Sequence, residues 1–428
     1  MNMQVKKKGF TYASLAAVVA LSGMIAGCGG GSDNSAKTAT FLYTSDAHYG
    51  IKRTGSYVFD GYSNAQQVNA KMVSVMNTMP GTAFPNDNGL NAGGTVNVDF
   101  AIQTGDISNR SQNDVASTGY AGFAQSAYDS WKQFEATYLN GLKFPFYLVP
   151  GNHDVSNAIG YTKDLSPKTD GSVLAFIYNM FVKPGTFDTS SKAAAQASYN
   201  GTTYQDATKK VFYSKDIAGV HFMFINMWPD TAAQAWMDAD LAKISSDMPA
   251  VIFTHDQPDV EGKHLTDPTG TTVFSNKYEN LVTNVGKFSK PAGDATDTVD
   301  AEKTFTTFLQ RHKNIVAYFH GNDNFNQLNT CDSAGNNTSP AQLPGTGRGC
   351  YKGQDNSVLL PEFRVDSPMK GNYSGLGYSG SGNADPNVLS YQVVSFDSDK
   401  KLMTVREYFW RAKKWGSSAT VSLAPRVK

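Results

Sequence analysis

The sequence predicts a layered α/β fold with mixed β-sheets. Its earlier part alternates short apolar runs with amphipathic helical stretches, a pattern that builds parallel strands. Its end is strand-rich and contains a hairpin, which adds antiparallel strands. Five of the apolar runs stop abruptly at polar residues, and ligand chemistry in α/β sheets collects just beyond the carboxyl ends of strands. The 428 residues suffice for a large core with insertions. Lysine and arginine number 37 against 37 aspartates and glutamates, and nothing in that balance implies a nucleic-acid-binding patch.

Residues 1–27 are expected to be a signal peptide rather than fold. Lys6, Lys7 and Lys8 form a positive start, and Tyr12 to Ile25 is apolar but short for a bilayer span. Ile25-Ala26-Gly27-Cys28 resembles the lipobox of bacterial lipoproteins, which implies cleavage before Cys28 and lipid on its thiol. Residues 28–37 then read as a flexible tether, holding a single domain over 38–428 to a membrane of the cell envelope.

Thr38 to Thr44 is the first strand and runs into Ser45-Asp46-Ala47-His48. Val68, Met72, Val75 and Met76 recur at helical spacing and predict a helix over 64–79. Val96 to Gln103 is the second strand, ending at Thr104-Gly105-Asp106, with Asn109 and Arg110 close behind. Phe123, Tyr128, Trp131, Phe134 and Tyr138 give a helix over 120–139 its core face. The strand starting at Phe144 is stopped by Pro150-Gly151, and Asn152, His153 and Asp154 follow. Residues 155–209 read as an insertion with a helix over 173–181.

Residues 210–226 predict a hairpin turning at Ala218-Gly219, with His221 as a packed strand residue. A helix over 233–244 leads to a strand over 248–254 that ends at His255. Residues 259–300 form a second, turn-rich insertion containing His264, and a helix over 301–311 follows. The strand over 314–319 ends at His320-Gly321-Asn322-Asp323-Asn324. A third insertion, near 327–360, contains Cys331 and Cys350. In an exported chain a disulfide is the economical reading of that pair, stabilising the loop by roughly 3 kcal/mol. Strands near 362–365, 389–396 and 402–411 complete the chain.

The polar strand ends hold four of the seven histidines, together with carboxylates and amides. Carboxylate, imidazole and amide oxygen without thiolate suit Mn, Zn or Fe. One carboxylate between two clusters suits a pair of metals roughly 4 Å apart, the spacing used in phosphoester hydrolysis.

In this order, Asp46-Ala47-His48, Gly105-Asp106 with Asn109, Gly151-Asn152-His153-Asp154 and Thr254-His255 resemble the motifs of the calcineurin-like metallophosphoesterases. The resemblance covers residues 40–325. It implies a four-layer αββα sandwich with two mixed β-sheets and a site for two divalent metal ions. Asp46 and His48 would hold one ion, Asn152 and His255 the other, and Asp106 would bridge them. A metal-bridging hydroxide would attack phosphorus. His153 would serve as general acid or phosphate contact, Asn109 would orient it, and Arg110 would bind phosphate.

The last motif departs from the family pattern. Where the family has Gly-His-x-His, this chain has Gly321-Asn322-Asp323-Asn324. Either Asn322 and Asn324 ligate through their carbonyl oxygens, giving a weaker site tilted towards Mn, or His320 substitutes, or metal is lost. The first outcome is preferred, because strand alternation turns His320 from its neighbours. The implied function is an exported, lipid-anchored phosphoester hydrolase acting on a phosphorylated small molecule or a phosphodiester. The alternative is a surface binding protein on a catalytically reduced scaffold. Tyr49, Tyr161 and Tyr204 offer stacking surface, but no pattern selects them.

Overall fold

The computed structural model describes residues 36–53, 61–62, 64–109, 120–122, 125–155, 171–182, 210–265, 281–282, 299–342, 345–371 and 386–428. The expected signal peptide with Cys28, and Arg110, Tyr161 and Tyr204, lie outside the described residues. The strands are β1 Thr38–Thr44, β2 Ile51–Arg53, β3 Phe100–Gln103, β4 Tyr120–Gly122, β5 Phe146–Leu148, β6 Tyr213–Ile217, β7 Val220–Phe224, β8 Ala250–Phe253, β9 Ile315–His320, β10 Gln327–Asn329, β11 Ala341–Gln342, β12 Gly345–Thr346, β13 Glu362–Arg364, β14 Ser390–Asp397, β15 Leu402–Phe409 and β16 Lys414–Ser422.

Twelve of them form two six-stranded mixed sheets, ordered β16-β15-β14-β1-β3-β5 and β10-β13-β9-β8-β7-β6. The parallel core of each sheet places the site. Thr44 pairs with Gln103 and Gln103 with Leu148, so β1, β3 and β5 end at one level. Phe224 pairs with Phe253 and Phe253 with Phe319, so β7, β8 and β9 do the same in the other sheet.

The sheets face each other across aromatic side chains. The fully buried ring of Phe41 on β1 meets Phe222, Phe253 and Phe319 of the opposite sheet edge-on at 5.8–5.9 Å. Burying a ring of this size contributes about 2–3 kcal/mol, and the edge-on geometry adds to it. The helices Ala65–Met76 and Ala127–Phe134 bury Val68, Met72, Trp131 and Phe134 in the same core. A second core holds Met237 and Leu241 from the helix Thr231–Leu241, and Phe305 and Phe308 from the helix Val299–Arg311, against Met223, Ile252 and Tyr318. Two sheets with helices outside both make the four layers.

Side-chain caps account for three of the helix starts. Asn64 caps the first helix with a reciprocal Asn64–Gln67 capping box. Asp230 caps the helix at Thr231 through the Ala233 N–H. Three expectations need correction. The helix expected over 120–139 begins only at Ala127, because extended Ser126 caps it through the Asp129 N–H; Tyr120–Gly122 is a strand paired with β2. The strand expected from Val96 begins at Phe100, because the Asp99 carboxylate takes the Thr40 N–H that a ladder would otherwise use. Strand β16 went unpredicted: it is an edge strand, and Gly416, Ser417 and Ser418 dilute its alternation. Cys331 and Cys350 form a disulfide with Cα atoms 5.3 Å apart.

Candidate metal centre

The strand ends are tied to one another before any side chain acts. The N–H groups of Asp46 and His48 donate to the carbonyls of Gly105 (2.9 Å) and Asp106 (2.8 Å). The Gly321 N–H donates to the His255 carbonyl at 3.0 Å, and the Asn322 N–H reaches Asp46 Oδ2 at 3.1 Å, joining the two sheets. Gly151 and Gly321 make this approach possible. A Cβ at Gly151 would clash with Asp106, and one at Gly321 with Ser45 and Asp46. Asp46, His48, Asp106, Asn322 and Asn324 all have φ between 46° and 67°. Left-handed backbone costs a non-glycine residue about 1–2 kcal/mol, least for Asn and Asp, and such strain concentrates at functional sites.

Two matching pairs of side chains stand on the two oxygens of Asp106. On one side, His255 Nε2 lies 3.3 Å from Asp106 Oδ1 and 3.2 Å from Asn152 Oδ1. On the other, His48 Nε2 lies 3.6 Å from Asp106 Oδ2, 3.5 Å from Asp46 Oδ1 and 3.2 Å from Asn324 Oδ1. Each side thus points an imidazole nitrogen and an amide oxygen at one spot beside a shared carboxylate. His153 Nε2 lies 3.8 Å from Asp106 Oδ2, and its ring meets that of His48 edge-on at 4.8 Å. Asp46, His48, Asp106, Asn152, His153, His255 and Asn324 are all buried.

The charge of the centre calls for cations. Burial pushes the Asp106 carboxyl up, but the imidazoles of His255, His153 and His48 outweigh it and hold it well below the usual range. Burial pulls His255 down, yet the Asp106 charge beside it raises it to about 10. His48 moves down through burial and the charge of Lys370, against Asp46 and Asp106. Asp46 Oδ1 is buried without a hydrogen-bond partner among the described residues, an expensive position for a carboxylate oxygen unless a cation meets it. The acidic and imidazole donors form two groups, His48/Asp106/His153 and Asp46/Asp106/His255, each with ligand atoms within 4.8 Å of one another. This donor set fits two divalent ions sharing Asp106.

The metal ligands expected from the sequence therefore converge, with Asn322 entering differently from Asn324. Asn322 Nδ2 turns to Asp256 Oδ1 (3.2 Å) and Gln257 Oε1 (3.3 Å), so only its Oδ1 is left for a metal. His320 faces Glu362 at 3.9 Å and joins neither donor group. Asn109 meets His153 through its main chain: the carbonyl lies 3.4 Å from His153 Nδ1, while the buried side-chain amide has no hydrogen-bond partner among the described residues. The contact of Asn109 with His153 is thus made by its backbone. Tyr49 is wholly buried against Phe134 and offers no stacking surface. His264 is buried against Asp256, 2.7 Å away, and stands behind Asn322.

Some residues at the centre carried no sequence signal. Lys370 Nζ lies 3.5 Å from His153 Nε2. Arg364 pairs with Asp323 and covers the Phe325 ring at 3.6 Å, holding the Gly-Asn-Asp-Asn loop. Asp154 was visible in its motif without a role. It accepts from the N–H groups of Gly151 (2.9 Å), Ile107 (3.2 Å) and Ser108 (2.8 Å), stitching the loops after β3 and β5 together. Burial and the Asp106 charge still raise it to about 6.

Residues 39–283 match the family model of the calcineurin-like phosphoesterases. That match ends before the Gly-Asn-Asp-Asn stretch. Among solved structures, the chain is similar to a purple acid phosphatase from yellow lupin seeds, at 13% identity and a TM-score of 0.43, over 91% of this chain and 54% of that one. The chain thus spans about half the length of the lupin protein. It is also similar to a dimetal phosphatase from Danio rerio, at 9% identity and a TM-score of 0.41, over 90% and 99% of the two chains. A 5'-nucleotidase precursor from Thermus thermophilus aligns at 12% identity and a TM-score of 0.35, over 91% of this chain and 56% of that one. No curated protein sequence matches the chain.

Proposed function

The chain belongs to the calcineurin-like phosphoesterase family, and from that premise we propose that it is an exported, lipid-anchored, metal-dependent hydrolase of a phosphomonoester or phosphodiester. The observation that carries this reading is the pair of matched donor sets on the two oxygens of Asp106. Asp46, His48 and Asn324 would hold one divalent ion and Asn152 and His255 the other, with Asp106 between them. When bound, the ions supply Lewis acidity that activates water and offsets phosphoryl charge.

The remaining groups handle protons and position. The Asn109 carbonyl opposite His153 Nδ1 favours a proton on that nitrogen. With the first proton on Nδ1, the imidazolium form of His153 carries its second on Nε2 and gives it to the leaving oxygen as water adds to phosphorus, the surplus proton of that water passes to solvent, and the ester P–O bond breaks. Asp154 and the paired loops hold His153 in place through its N–H, which donates to Asp106 Oδ1 at 2.9 Å.

The test is hydrolysis of chromogenic phosphomonoesters and phosphodiesters by the full-length chain loaded with Mn, Zn or Fe. Turnover that disappears in Asp106→Asn supports the reading; no turnover with any ion, in a protein that purifies free of metal, favours the binding-protein alternative. Anchoring is tested separately by mass spectrometry of the amino-terminal peptide. Lipid on Cys28 is expected, and an unmodified Cys28 rejects the anchor. Among the described residues no helix is long and apolar enough to cross a membrane.

A further inference from the structure

Beyond the metal donors, one basic side chain is aimed at the centre by a built turn. Ser367 Oγ donates to the Asp46 carbonyl at 2.7 Å and accepts from the N–H groups of Met369 (3.2 Å) and Lys370 (2.9 Å). The Gly371 N–H closes the turn onto the Ser367 carbonyl at 2.8 Å. The turn that carries Lys370 is thereby fastened to the backbone of Asp46, itself a proposed metal ligand. Asp366, beside the turn, is fastened in its own right by accepting from the Ser390 N–H at 3.2 Å. Lys370 is only partly buried. Its ammonium therefore lies between the buried imidazoles and solvent, 3.5 Å from His153 Nε2.

We propose that Lys370 is a substrate-binding cation of this centre, contacting a phosphoryl oxygen next to the ester oxygen that His153 protonates and favouring phosphomonoester dianions over phosphodiester monoanions. The inference rests on the hydrolase reading above and specifies its substrate class. The ammonium and His153 Nε2, 3.5 Å apart, can reach neighbouring oxygens of one phosphate ester. The charge balance points the same way. Two divalent ions set against Asp46 and Asp106 leave an excess of two positive charges before substrate and nucleophile arrive. A diester brings one negative charge and a monoester two. An added ammonium favours the ligand with the larger charge, and does so most strongly at a desolvated site.

The experiment compares the full-length metal-loaded chain with Lys370→Met and Lys370→Arg. It measures titration with inorganic phosphate by calorimetry, metal content by elemental analysis, and kcat/KM for p-nitrophenyl phosphate and bis(p-nitrophenyl) phosphate. Loss of a charge-assisted hydrogen bond to phosphate is expected to weaken phosphate binding by about 10–100-fold in Lys370→Met, with metal content unchanged. The monoester-to-diester ratio of kcat/KM falls by about tenfold, and Lys370→Arg recovers most of both losses. Unchanged phosphate affinity in Lys370→Met overturns the assignment. So does equal loss towards both esters, or any change in metal content, since either marks a structural or metal-displacing lysine. If the wild-type chain hydrolyses neither ester, the hydrolase reading fails, while the phosphate titration still decides the place of Lys370.

Discussion

The two halves of the metal centre share a plan and differ in how they are built. Both set a histidine Nε2 and an asparagine Oδ1 about 3.2 Å apart against one oxygen of Asp106. In the His255 half, every group stands at the end of a parallel core strand or in the turn after it. His255 Nδ1 is further fixed by the Thr104 carbonyl at 2.7 Å, the kind of outer contact that sets a ligand's tautomer. The His48 half closes instead on the loop Asn322–Asn324, with two left-handed asparagines, and is braced from outside by Arg364. Among the described residues its imidazole Nδ1 has no hydrogen-bond partner. The same donor types thus sit on a rigid wall and on a braced loop, and the loop side is where the chain leaves the family pattern. Asparagine tolerates left-handed backbone better than most residues, so the substitution lowers ligand strength where it also relieves strain.

The largest test of this plan removes what the halves share. Asp106→Asn is expected to release both ions, measured by elemental analysis, and to cut kcat/KM by at least about 10³-fold. Retention of one ion would show that the halves are independent sites. Next comes the rigid wall itself. Asp154→Ala leaves the N–H groups of Gly151, Ile107 and Ser108 without their acceptor and is expected to cost about 3 kcal/mol in urea unfolding. A loss below about 1 kcal/mol would mean that wall does not depend on the stitch.

On the braced loop, Asn322→Ala removes the amide donors to Asp256 and Gln257 at a left-handed position. A stability loss of about 2 kcal/mol is expected, with a smaller fall in metal affinity than Asn324→Ala produces. The reverse order of metal affinities would exchange the roles of the two asparagines. Asn324→His restores an imidazole beside His48 and is expected to tighten Zn binding about tenfold in competition with a chromophoric chelator, for less than about 1 kcal/mol of stability. Unchanged affinity would place Asn324 outside the ligand set.

Much of this arrangement was legible because it is written in contiguous pieces. An apolar run that stops at Asp-x-His, Gly-Asp or Gly-Asn-His-Asp announces both a strand and what its end carries. The level strand ends, where Thr44 meets Gln103 and Gln103 meets Leu148, then bring the pieces side by side. His320 could be set apart from the ligands by alternation alone, and it does face Glu362. That Asn109 meets His153 through its carbonyl could not be read, because spacing along a chain does not say whether side chain or carbonyl reaches a neighbour. Edge strand β16 was missed because exposed strands carry little apolar pattern.

The family, the polar residues at the strand ends and the altered last motif could all be read from the chain, since each is a local pattern of residue types. Tertiary structure alone decided which oxygen of Asp106 serves which half, that Asn324 points its oxygen at His48 while Asn322 turns its amide to Asp256, and that Lys370 reaches His153. Those facts depend on long-range backbone bonds, such as Ser367 to Asp46 and Asn322 to Asp46, that join segments with no mark of each other in the chain. A cation on a turn reads as surface until the fold fastens that turn to the site.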